Sequence, residues 1–173
     1  MMEVCKPIET LKLTSEKLYD GTGLVTPGQS VSFTATTAEP FDVNYSWTDS
    51  KNSNLNHGVT EQIVRLYKDY TMTVSAVDER GVCEPVTATR TVEVIWPTAI
   101  TPYTKDGLND EFLPDLGCQM IIFNRYGQKV YEGTEGWDGY YSGKLADPGA
   151  YFYVVNLPDG EVKKGTIEIV KIK

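Results

Sequence analysis

The 173-residue sequence has a single histidine, His57, and three cysteines, Cys5, Cys83 and Cys118, with no C-x-x-C pair. Zinc sites built from Cys and His ligands have no basis in so few donors. A Ser-His-acid triad would have to use His57 and a buried acid to orient it, but His57 lies in the polar stretch NSNLNHG, where solvation is expected. No nucleophile motif is present, and the chain is not expected to be an enzyme. Basic residues are outnumbered 16 to 24, giving a net charge of −8, and they form no run. The acidic excess holds on both sides of Pro97, so a nucleic-acid surface is not expected. No apolar run approaches the ~18–20 residues of a membrane-spanning helix. The first residues, MMEVCKPIETLKL, lack the apolar core of a signal peptide. Either the chain works in the cytoplasm or its export signal lies outside this sequence.

Helical periodicity is nearly absent, and strand patterns take its place. VSFTATT alternates Val31, Phe33 and Ala35 against Ser32, Thr34 and Thr36; YTMTVSAV sets Tyr70, Met72, Val74 and Ala76 against Thr71, Thr73 and Ser75. This period of two marks half-buried strands. Turn-rich clusters separate them: TPGQ at 26–29, TDSKNSNLNHG at 48–58 and DERG at 78–81. Short strands without intervening helices predict an antiparallel β-sandwich, with Trp47 in an immunoglobulin-like core.

After Pro97 the texture changes, and 10 of the 15 glycines fall in the remainder. The predicted organisation is therefore a domain at 1–97 and a second at 98–173. In the second, RYG between QMIIFN and QKVYEG reads as a hairpin loop that uses Gly127, and PDG joins two further strands. Ile121, Phe123, Val130, Trp137, Phe152, Val154, Ile167 and Ile169 are the expected core. The fold class is thus all-β, as two tandem antiparallel sandwiches. Cys5 and Cys83 fall in the first domain and Cys118 in the second, and spacing leaves a disulfide and three reduced thiols equally open.

The stretch KDGLNDEF, residues 105–112, concentrates hard oxygen donors. Asp106, Asn109 and Asp110 are candidate calcium ligands, since Ca²⁺ takes about six to eight oxygens. The competing reading is a loop fixed by Asx turns, in which Asp106 and Asn109 accept backbone N–H bonds. Adjacent exposed acids in a turn lack the cleft and the separation of about 5–9.5 Å that a glycosidase pair needs. The tyrosines of GYY and YFY could stack on sugars, although alternating Tyr is also ordinary strand composition.

The order ITPYTKDGLNDEF, IIFNRYGQKVYEG, WDGYYSG, GAYFY and KGTIEIVK over residues 100–171 resembles the gliding-motility-associated C-terminal domain, the type B sorting domain of type IX secretion. Ile100, the longer PYTKDG opening and Tyr126 depart mildly from that family's pattern. The preceding half is similar to PKD-like or immunoglobulin-like repeats of surface adhesins, through YTMTVSAVDERGVCEP. The resemblance implies two immunoglobulin-like domains, in the C-terminal part of a secreted or cell-surface protein of Bacteroidetes-type bacteria. Its implied partner is the outer-membrane secretion machinery, with a surface glycan or protein as a further ligand; the alternative is a carbohydrate- or calcium-dependent binding module. It also favours a Cys5–Cys83 bond; the residues themselves suggest no cofactor unless calcium binds at 105–112. The implied recognition surface comprises Asp106, Gly107, Asn109, Asp110, Asn124, Arg125, Tyr126, Gly127, Trp137, Asp138 and Gly139.

Overall fold

The computed structural model describes residues 5–17 and 24–172, and every regular element among them is a strand. Two compact units are present: Met1–Val25 with Ser30–Val94, and Thr26–Gln29 with Ile95–Lys173.

In the first unit, β1 (Lys12–Lys17), β2 (Ser30–Thr36) and β4 (Glu61–Arg65) form one sheet in the order β1-β2-β4. A second sheet, β3-β5-β6, is built from β3 (Val43–Asp49), β5 (Tyr70–Asp78) and β6 (Val86–Val92). All of these pairings are antiparallel. The apolar parity of each strand turns inward: Val31, Phe33 and Ala35 from β2 share one buried cluster with Tyr45 and Trp47 from β3 and with Tyr70, Met72, Val74 and Ala76 from β5. The sheets meet through contacts such as Phe33 on Tyr70, with ring centroids 5.6 Å apart. Trp47 is buried because its one polar atom is satisfied, Nε1 donating to the carbonyl of Val59 at 2.8 Å. Outside, hydroxyls pair across β5 and β6 at Thr71–Thr91 and Thr73–Thr89, 3.0 Å each. Cys5 is bonded to Cys83, closing a span of 78 residues; Cys118, half-buried in the second unit, takes no part in it.

The second unit holds β7 (Ala99–Ile100), β8 (Met120–Asn124), β9 (Lys129–Gly133), β10 (Tyr140–Tyr141), β11 (Lys144–Leu145), β12 (Gly149–Asn156) and β13 (Val162–Ile169). Five of them form a sheet in the order β7-β13-β12-β8-β9, and β10 pairs only with β11. The short β7 runs parallel to β13, so this sheet is not wholly antiparallel as expected.

The core of this sheet departs from the sequence expectation in its phase. Met120 and Ile122 of β8 and Tyr151, Tyr153 and Val155 of β12 are buried. The expected core residues Ile121, Phe123 and Val154 are only half-buried on the opposite face, and Phe152 is 46% exposed there. Val130, Trp137, Ile167 and Ile169 are buried as expected. Both parities of MIIF and AYFYVV are apolar, so alternation alone cannot choose a face. Tertiary partners choose it. Phe112 lies 5.0 Å from the Tyr153 ring and Trp137 lies 5.2 Å from the Tyr151 ring, both covering the inner face. The Tyr151 hydroxyl is satisfied by the Asp147 carbonyl at 2.8 Å. Tyr153 lies across its cross-strand neighbour Gly165, where a Cβ would sit 2.3 Å from the Tyr153 oxygen.

Candidate recognition surface

The turn between β8 and β9 is built by one side chain. Asn124 Oδ1 accepts the N–H groups of Tyr126 and Gln128, each at 3.0 Å. The Asn124 backbone adds a carbonyl that accepts Gly127 N–H at 3.0 Å and an N–H that donates to the Gln128 carbonyl at 2.9 Å. Gly127 takes φ near 79°, a conformation that costs other residues strain. This rigid turn lifts Tyr126 into solvent at 79% exposure, with the Arg125 guanidinium 5.0 Å from its ring. A fixed backbone removes the loop-ordering part of the cost of binding, and aromatic and arginine side chains are the types enriched at interface hot spots.

Beside Arg125 and Tyr126 lies a shallow hollow whose far wall is Asp147–Tyr151, the chain entering β12. Sequence reasoning passed over Asp147 to Ala150; they reach the turn because Tyr151 pairs directly with Asn124 in the sheet register. Burial first, and then the neighbouring Asp147 carboxylate, raise the Tyr151 phenol above its ordinary value, so it stays a neutral donor.

The opening loop forms a separate dent lined by Gly107, Asn109, Asp110, Glu111 and Pro114, which shares no residue with the first. Asp106 Oδ1 accepts Leu108 N–H at 2.9 Å and Asp110 Oδ2 accepts Gly107 N–H at 2.8 Å. The Asn109 carbonyl accepts Thr101 N–H at 2.7 Å. Lys105, Gly107, Asn109 and Leu113 all have positive φ, between 50° and 82°. These are the Asx-type bonds of a self-supported loop. One oxygen, Asp110 Oδ1, is buried without a partner. Among the described residues no group of three acidic, His or Cys side chains is gathered as a metal-ligand set. If a cation binds here, Asp110 Oδ1, Asp106 Oδ2, the Asn109 side-chain oxygen and backbone carbonyls are the donors left to it.

The third candidate, WDG, divides. Asp138 is exposed and accepts Tyr140 N–H at 3.0 Å, fixing a turn. Trp137 and Gly139 are buried, which removes them from the expected recognition surface. Trp137 bridges Phe112 through both backbone N–H groups, at 2.8 and 3.0 Å, and its Nε1 donates to the Tyr140 carbonyl at 3.0 Å, so it is a core anchor. At Gly139, φ is 78° and a Cβ would press on Pro102 at 2.9 Å. Just beyond, β10 links the other two sites: Tyr140 lies under Lys105, 5.5 Å from its ammonium, and the Tyr141 hydroxyl accepts Gln128 Nε2 at 2.7 Å. Tyr151 and Tyr153 are buried and offer no sugar-stacking face.

His57 is exposed, yet it is more than solvated: its Nδ1 accepts the Trp47 backbone N–H at 3.2 Å along β3.

Residues 94–169 match the family of the CHU_C type IX secretion signal domain. No curated protein matches the chain. Among solved structures, it is similar to the Bacteroides ovatus mixed-linkage glucan utilization locus SGBP-B in complex with mixed-linkage heptasaccharide, at 12% identity and a TM-score of 0.35. That similarity covers 90% of this chain and 47% of the other, so the chain spans about half the length of that structure.

Proposed function

Taking residues 94–169 as a CHU_C type IX secretion signal domain, we propose that they act as a folded export address whose outer surface is read by the type IX machinery at the outer membrane. The observation that carries this reading is the family match over the second unit. The Asn124–Gln128 turn supports it by presenting Arg125 and Tyr126 on a backbone already fixed before any partner arrives. The reading is one of recognition: the hollow beside Arg125 and Tyr126 and the dent of the opening loop are both lined largely by exposed turns. The first unit is a surface-displayed, adhesin-type module carried by this address, in a protein delivered to the cell exterior.

The test is fusion of residues 94–173 behind a periplasmic reporter in a bacterium that has the type IX pathway. Surface display is expected with the tail. Display no better than that of the tail-less reporter refutes the address. Arg125→Ala with Tyr126→Ala is expected to lower display without unfolding the domain, because both side chains lie outside the core.

A further inference from the structure

The sheet of the second unit is left open along part of one edge. β7 covers β13 only at its end, where Ala99 and Ile100 lie opposite Glu168 and Ile169. Glu168 N–H donates to the Thr98 carbonyl and Val170 N–H to the Ile100 carbonyl, 2.9 Å each. Because backbone groups alternate sides along a strand, the N–H groups of Lys164 and Thr166 and the carbonyls of Val162 and Lys164 point to that same side. No described strand lies there to meet them. The three residues are exposed, Val162 at 48%. On the outer face Lys164 stands opposite Val154, with no carboxylate pairing it among the described residues. On the other face Lys163 is held 5.5 Å over the Trp96 ring.

We propose that the Val162–Thr166 edge of β13 is a docking strand for an extended acidic segment of a partner protein, which adds to the sheet beside β13 and places a carboxylate near Lys164. This deepens the export reading and rests on it, since it names the contact through which the address is read. An open ladder supplies affinity through main-chain bonds, and alternate side chains supply selectivity. The lysines decide the occupant. A second copy of the same edge would set Lys163 and Lys164 against their own kind, and like charges placed opposite are destabilising. Edge lysines block such self-pairing, whereas a segment with Glu or Asp at alternate positions sets its carboxylates on one face, beside Lys164.

The test uses the whole chain, isotope-labelled, with an acetylated peptide of about nine residues alternating glutamate and threonine as the probe. A peptide with lysine in place of glutamate is the control. Slowed amide exchange at Lys164 and Thr166, and weaker binding of the lysine peptide by about tenfold or more, are expected. Lys164→Glu reverses the preference, and Thr166→Pro, which removes one edge donor, abolishes binding. If Thr166→Pro fails to fold, the exposed Lys164→Glu carries the test alone. Absence of binding, equal affinity for both peptides, or exchange changes confined to other strands overturns the proposal. In the reporter fusion, display by the parent tail that is lost in Lys164→Glu supports the edge. Display equal to the parent overturns the edge and leaves the address intact, whereas a parent tail that is not displayed overturns the address itself.

Discussion

Gly165 shows how one residue type can be dictated by a neighbour's ring. A methyl at this position would lie 2.3–2.8 Å from three atoms of Tyr153. Gly165→Ala is expected to cost about 1–3 kcal/mol by overpacking. In a Tyr153→Ala background the same change should cost little, because the clash is gone, and urea denaturation across the double-mutant cycle reads the coupling. Asp49 makes a different residue-scale case. Burial raises its pKa, but hydrogen bonds from Ser53, from the Tyr70 hydroxyl at 2.6 Å and from backbone N–H groups outweigh that, and the net shift is downward. For Tyr70, burial and then Asp49 push the phenol far above its usual value, so the proton stays on the tyrosine. A carboxyl whose folded pKa is depressed adds stability above its unfolded pKa, near 3.9, and loses it as pH falls through the lower folded value. Asp49→Asn should therefore be less stable than the parent at neutral pH and converge with it in acid; parallel denaturation curves from pH 7 to pH 2 would contradict this assignment.

At the scale of elements, the β8–β9 turn depends on Asn124, whose single oxygen holds two N–H groups. Asn124→Ala should destabilise the second unit by about 1–2 kcal/mol and broaden the amide signals of Arg125 and Tyr126. Unchanged stability would mean that the backbone bonds alone define the turn. The opening loop holds its shape by its own N–H groups, with Asp106 Oδ1 and Asp110 Oδ2 already engaged and Asp110 Oδ1 its one buried side-chain oxygen without a partner. Melting curves in EDTA and in millimolar calcium are accordingly expected to superpose. A rise in melting temperature with calcium, abolished by Asp110→Asn, would instead assign the loop as a cation site. The turn glycines and the Asp106 bond were legible in KDGLNDEF and FNRYGQ, because they follow from local backbone chemistry; the second acceptor of the opening loop is Asp110 where Asn109 was expected, and the Asn124 bonds were not anticipated. The inward face of β8 and β12 was not, because each strand is apolar on both sides.

At the scale of the whole molecule, the Cys5–Cys83 bond ties the segment before β1 to the connection between β5 and β6 across 78 residues. Restricting so long a loop in the unfolded chain is worth about 2–4 kcal/mol. Reduction, or Cys5→Ser, should lower the transition of the first unit and leave that of the second in place, as calorimetry on the oxidised and reduced full chain would read. A common downward shift of both transitions would show that the two units do not unfold separately. Spacing alone left this bond and three free thiols equally open, and the family resemblance favoured the bond; the fold brings the two Cα atoms to 5.2 Å, within disulfide reach.

By itself the sequence determined that the regular elements among the described residues are strands, that the turns lie where Gly, Asn and Asp permit them, and that the last segment carries the ordered motifs of a type IX secretion signal domain. Those features depend on neighbours within a few residues, or on a pattern read along the chain. Tertiary structure alone decided which parity of β8 and β12 is buried, that Trp137 and Gly139 are core and not surface, and that β13 keeps an open edge. Each of those outcomes depends on what a distant segment covers: Phe112 and Trp137 press one face of the sheet, and β7 ends after two residues.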